Sequence, residues 1–190
     1  MICSVNLVSR AAAAATLLTA FASAAPAYAD TPLSVQIGPT LIFEQDARNT
    51  GGTTQVGAGV NYDIGPRLPI VPFRASVTFD YSGGANGNAR LGAYGFGVAG
   101  RLTTPLYAGA GIGVYFENAT LCCLTFPLQP GVTGTTSASA TGVGTNFFIG
   151  ERLLTIPGGS SLSLQATYQQ RPSFDGIDPS GLNIGLRMQF

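Results

Sequence analysis

The chain has 190 residues, with nine basic and nine acidic side chains, no His, no Trp and 45% hydrophobic residues. Only 9% of residues are charged, against about 25% in an ordinary soluble domain. A neutral balance without a basic run excludes an electrostatic nucleic-acid binder, and this length suggests one folded domain.

At the N-terminus, Arg10 and the α-amino group form a short positive region. An Ala- and Leu-rich apolar stretch follows over 11–25, then Ala27-Tyr28-Ala29 and Asp30. This is the pattern of a secretory signal peptide over residues 1–29, cleaved between Ala29 and Asp30. The stretch is too short and too Ala-rich for a membrane-spanning helix. Cys3 precedes it, so that thiol leaves with the signal and cannot anchor a lipid. The expected mature domain is 30–190. No later segment reaches the roughly eighteen consecutive apolar residues of a spanning helix. A closed barrel in lipid reconciles an apolar composition with the lack of such a helix, because it pairs every backbone group internally and turns apolar side chains outward.

Period-2 alternation runs through the rest of the chain, broken by Gly, Pro, Asn and Asp clusters. It predicts eight strands, over 33–43, 53–64, 70–81, 90–102, 106–117, 141–153, 161–171 and 182–190. The apolar sets include Leu33, Val35 and Ile37 in the first, Val77 and Phe79 in the third, Ile112 and Val114 in the fifth, and Leu182, Ile184, Leu186, Met188 and Phe190 in the last. Most have the nine to eleven residues, roughly, that a tilted strand needs to cross a bilayer. The connections alternate. Residues 65–69, 103–105 and 157–159 are short; 44–52, 82–89, 118–140 and 172–181 are long. Short periplasmic turns and long external loops are the expected sense. Phe43, Tyr62, Phe79, Tyr81, Phe116, Tyr168 and Phe190 fall near strand ends, as an interfacial girdle requires.

The signal, the eight amphipathic strands, the alternating loops and the terminal Phe190 resemble the small bacterial outer-membrane β-barrels of the OmpA/OmpX type. The resemblance implies an all-β, eight-stranded, antiparallel up-and-down transmembrane barrel in the outer membrane. It implies contact with the lipid bilayer and a lipopolysaccharide-type outer leaflet. It also implies recognition by the barrel-assembly machinery, with Phe190 as the assembly signal. Unlike OmpA, the sequence has no soluble peptidoglycan-binding segment after the eighth strand, so tethering to the cell wall is not expected of it.

The polar parity defines a candidate interior network. Asp63, Arg74, Arg101, Arg152 and Arg187 fall inside the periplasmic half, and Asp80, Glu117 and Arg171 inside the outer half. Charges in a narrow lumen are costly unless paired or wet, so mixed signs point to a salt-bridged interior or to a gated ion path. Inward glycines (Gly57, Gly59, Gly95, Gly97, Gly109, Gly111, Gly113, Gly142, Gly144) would make room for the long Arg and Tyr side chains. Adjacent Cys122 and Cys123 fall in the longest outer loop, as a vicinal disulfide, an interchain link or free thiols. Leu121, Leu124, Phe126 and Leu128 make that loop apolar.

With neither His nor Lys, no side chain has a reference pKa near neutrality, and neither a His base nor a Ser–Lys pair is available. Outer-membrane barrels that act as acyltransferases, deacylases, phospholipases or omptin-type proteases use His. The expectation is a non-enzyme without cofactor or metal, contributing to envelope integrity and surface-loop interactions. Two alternatives stand: a narrow porin-like channel gated by interior Arg–carboxylate pairs, and a soluble lipocalin-like ligand binder. Oligomeric state is open.

Overall fold

The computed structural model describes residues 33–64, 73–102, 104–125, 133–157 and 160–190. The signal-peptide reading, with Ala29 and Asp30, lies outside the described residues, as does the 65–72 connection. Eight antiparallel strands are joined in chain order: β1 (Leu33–Ile42), β2 (Thr54–Ile64), β3 (Phe73–Asn86), β4 (Ala89–Leu102), β5 (Leu106–Thr125), β6 (Thr133–Thr155), β7 (Ser161–Gln170) and β8 (Gly181–Gln189). One short helix, α1 (Gln45–Gly51), lies between β1 and β2. β1 pairs with β8 from Ser34↔Gln189 to Ile42↔Gly181, which closes the barrel. Closure leaves the barrel wall with no free edge, so its backbone groups are paired without water.

The alternation resolves into an inverted partition. Ile112 is 53% exposed, Val143 65% and Leu186 49% on the outer surface, while Arg187 is 3% and Glu117 2% exposed. A water-soluble barrel has the opposite arrangement. The lipocalin-like alternative, which needs an apolar lumen, is therefore set aside. Aromatic residues form outer rungs: Tyr81, Tyr94 and Phe116 are register partners on β3, β4 and β5, and Tyr94 stacks on Phe116 at 5.0 Å. Phe43 and Tyr168 stack at 6.3 Å. Glu151 is an outward-facing exception, opposite Leu106 and Leu164; its neighbour Arg152 turns to the inner mouth, just before a register shift in the β6–β7 pairing.

Two connections differ from the sequence expectation. The expected 118–140 loop is mostly strand: β5 and β6 continue as a ribbon to Thr125↔Thr133, with a register shift between Leu121 and Leu124. Its 133–140 arm holds only Thr, Gly, Ser and Ala, and Leu121-Cys122-Cys123-Leu124 in the other arm is an unbroken apolar run, so period-2 alternation carries no signal there. Cys122 and Cys123 thus lie on strand backbone at the irregularity rather than in a loop, and their side chains lie outside the description. The expected 82–89 loop collapses to a two-residue turn between Asn86 and Ala89. Gly87 at its first centre has φ 59°, as a type II′ hairpin requires. The third strand runs five residues beyond Tyr81; its expected start at residue 70 lies outside the described residues.

The outward face makes a depth-dependent prediction. Ile112→Arg on the middle of β5 should lower the unfolding free energy in lipid by about 2–4 kcal/mol, measured by urea titration in phosphatidylcholine vesicles. A spin label at the same position should report hydrocarbon.

Candidate functional site

The lumen is layered along its axis. At the outer mouth, α1 and the 171–180 connection fold inward and close it with apolar side chains. Ile42, Ala47, Leu91, Ala119 and Phe174 form a buried cluster, with Ala138, Ala140 and Ile177 packed against it. Phe174 is aimed by a two-residue turn, in which Asp175 (φ 48°) and Gly176 (φ 78°) both have positive φ and Phe174 and Ile177 exchange backbone hydrogen bonds of 3.0 and 2.8 Å. This is the type I′ geometry that favours Asp-Gly. The helix is held by a cap: the Ala47 N–H donates to the Glu44 carboxylate at 2.7 Å, and the Gly52 N–H returns to the Arg48 carbonyl. Backbone N–H groups of Asp46 and Ala47 hold the Glu44 carboxyl below the ordinary carboxylate range.

Below the cap lie Asp80, Glu117 and Arg171. The sequence parity placed them here as ion pairs, but no ion pair joins them. Arg171 Nη1 donates to Ser82 Oγ at 2.6 Å, Nη2 donates to Gln169 Oε1, and the guanidinium lies 5.9 Å from the centre of the Tyr115 ring. Both carboxylate oxygens of Glu117 are buried without a hydrogen-bond partner. Small residues seat the ring: a Cβ on Gly95 would fall 2.5 Å from Tyr115, and one on Gly144 2.7 Å.

The inner half carries a continuous network. Gln36 Nε2 donates to Asn183 Oδ1 and Gln165 Nε2 donates to Gln36 Oε1, each at 2.7 Å. Asn183 in turn donates to Thr40 Oγ1 at 2.9 Å. Tyr107 donates to Gln165 Oε1 at 3.0 Å, and its hydroxyl end fits against Gly150, where a Cβ would come within 2.4 Å. Arg187 donates to Ser34 Oγ at 2.7 Å and to Gln165 Oε1 at 3.2 Å. These bonds tie β1, β5, β7 and β8 together across the lumen, including the closing β1–β8 seam. Asp63 is the ionic partner here: Arg101 Nη2 donates to Asp63 Oδ2 at 2.6 Å, and Arg74 Nη1 stands 3.8 Å from the same oxygen.

Two voids interrupt the packing. A void of about 20 Å³ lies between Gln36, Asp80, Asn146 and Arg187, room for about one water molecule. A cavity of about 160 Å³ opens at the inner mouth and is lined by Arg74, Arg101, Arg152 and Arg187 together with Tyr107 and Ser163. The structure thus gathers the four inner arginines around one cavity, and among the described residues Asp63 is the carboxylate that pairs with them. Ile42 and Leu91, the apolar residues that close the other end, escaped the sequence reading. Their signal was present: both are apolar at inward-parity positions near outer strand ends.

Two outcomes follow from these contacts. Asp63→Asn leaves the buried Arg101 charge uncompensated and should cost about 3 kcal/mol, read as a lower urea midpoint for the refolded barrel. The Glu44 cap stabilises α1 only while ionised. Because its folded-state value is lowered, the contribution is full above the ordinary Glu value of about 4.3 and is lost as pH falls through the lower folded-state value. Amide exchange at Ala47 should accelerate across that acidic window, once corrected for the intrinsic pH dependence of exchange, and Glu44→Gln should abolish the pH step.

The model of one protein family, the outer membrane protein beta-barrel domain, matches residues 12–190. Among solved structures, Neisserial surface protein A is 10% identical, with a TM-score of 0.46, covering 83% of this chain and 96% of its own. The N-terminal β-barrel domain of Pseudomonas aeruginosa OprF is 10% identical, with a TM-score of 0.44 and coverage of 82% and 93%. Yersinia pestis Ail, the attachment invasion locus protein, crystallised with the heparin analogue sucrose octasulfate, is 11% identical, with a TM-score of 0.47 and coverage of 82% and 94%. No curated protein sequence matches the chain. With an apolar exterior, a polar lumen and a family match over nearly its whole length, this chain belongs to the outer membrane protein beta-barrel domain family and resides in the bacterial outer membrane.

Proposed function

We propose that the protein is a non-enzymatic, non-conducting barrel that contributes to envelope integrity and presents its β5–β6 ribbon for surface interactions. The observation that carries this reading is the closed outer mouth. Ile42, Ala47, Leu91 and Phe174 are buried over it, and the tyrosines, arginines and glutamines beneath occupy most of the cross-section of an eight-stranded wall. The ribbon extends past the last β4–β5 pair, Ala89↔Leu121, to Thr125↔Thr133, so it stands beyond the barrel body on the long-loop side. The absence of His and Lys from the sequence supports the non-enzymatic part, since no ordinary general base is available near neutrality. Its partners in this reading are the bilayer, a lipopolysaccharide-type outer leaflet and the barrel-assembly machinery. Phe190, whose backbone N–H donates to the Leu33 carbonyl at 3.0 Å, stands at the closing seam where an assembly signal would act.

A second reading, a narrow channel, draws on one observation: the two polar voids share Arg101 and Arg187 as walls. A path through them would require the apolar cap to lift. Planar-bilayer recording of the refolded chain separates the two. The scaffold reading expects no steady unitary openings. Steady openings whose size changes in Arg74→Ala or Arg101→Ala would establish the channel instead.

A further inference from the structure

We propose that the inner mouth of the barrel is a binding site for a phosphate-type oxyanion, held by Arg74, Arg101 and Arg152 over a floor set by Arg187. This site faces the periplasm and is independent of what the outer ribbon contacts.

Three observations carry it. The first is charge: four guanidinium groups line one cavity of about 160 Å³, and among the described residues Asp63 is the single carboxylate paired with any of them. The lining is therefore strongly cationic, as the parity of this half of the wall implies. The second is unused donor capacity. A guanidinium carries five N–H donors and no acceptor. Arg101 is 6% exposed and spends Nη2 on Asp63, while its buried Nε has no hydrogen-bond partner. Arg74 makes only a 3.8 Å approach to Asp63. Arg187, by contrast, is already held by Ser34 and Gln165 and lies 5.5 Å from the centre of the Tyr107 ring; it supplies fixed charge at the floor rather than free donors. The third is access and size. Arg152 is exposed and Arg74 half-buried, so the cavity reaches solvent at the short-turn end. It is roughly ten times the volume that one enclosed water needs.

Planar forks converging from different strands match the geometry of a tetrahedral oxyanion, which accepts several charge-assisted bonds at once. Tyr107 and Ser163 add neutral groups on the same wall. The same phosphoryl chemistry has two sources at that depth, a free phosphate or phosphate ester in the periplasm and the headgroup of an inner-leaflet lipid.

Inorganic phosphate titrated into the refolded full chain in a neutral maltoside detergent tests the site through the NMR shifts of the arginine Nε–H groups. The expected result is a saturable shift at Arg101, weakened by about tenfold or more in the Arg74→Gln/Arg152→Gln double variant, with heat-modifiable gel mobility unchanged. Both substituted side chains sit at the rim; should the double variant misfold, Arg152→Gln alone is the readout and should weaken binding in the same direction. A parallel arm compares phosphatidylcholine vesicles with and without phosphatidylglycerol. If free phosphate is the ligand, phosphate moves the Arg101 signal in both kinds of vesicle. If a lipid headgroup is the ligand, phosphatidylglycerol alone moves it and added phosphate does nothing more. The site is disproved if neither phosphate nor phosphatidylglycerol gives a saturable shift. It is equally disproved if sodium chloride at matched ionic strength reproduces the shift, or if a correctly folded variant leaves the shift intact.

Discussion

Every feature of this protein depends on satisfying the backbone without water. In hydrocarbon an unpaired N–H or C=O costs several kcal/mol, so a sheet can stand there only if its first and last strands meet. Here they meet along the β1–β8 seam. The side chains behind that seam reinforce it: Asn183 on β8 donates to Thr40 on β1 and accepts from Gln36, while Arg187 holds Ser34. Closure and the polar interior are one device. The wall excludes water from the backbone, and the lumen then becomes the place where polar side chains can satisfy one another.

The two ends of that lumen are built differently. The outer end is closed by apolar contacts from a seven-residue helix and a tight turn, each held by local backbone chemistry: a carboxylate cap at Glu44 and positive φ at Asp175 and Gly176. The inner end is left open and cationic. Bulky rings are accommodated by glycines opposite them, Gly95 and Gly144 around Tyr115 and Gly150 around Tyr107. A barrel of eight strands has little internal width, so each large side chain needs a neighbour with none. The packing therefore explains Gly95, Gly144 and Gly150 as space rather than as flexibility.

Location follows from the wall and the family; activity does not. Membership of the outer membrane protein beta-barrel domain family fixes the solvent on the outer surface. It leaves the occupants of the two mouths to be read from their chemistry. An apolar cover and an arginine-rich opening are different invitations, and only the second offers directed donors to a ligand.

The sequence by itself determined the strand count, the outward faces and the end at which each charged interior residue would sit, because period-2 alternation against two solvents constrains every wall residue. It could not follow the β5–β6 ribbon past the membrane, where an apolar run at 121–124 faces an arm of Thr, Gly, Ser and Ala and neither alternates. Nor could it find α1, whose seven residues carry too few turns for a helical period. Parity put Asp80, Glu117 and Arg171 in one half without saying whether they touch. The tertiary structure decided that Arg171 turns to Ser82 and Gln169, that Asp63 receives Arg101, and that four arginines from four strands face one cavity. Those outcomes depend on stagger between strands and on which ring fills which gap. Both are fixed only when the sheet closes, because closure sets the distances across the lumen that no single strand contains.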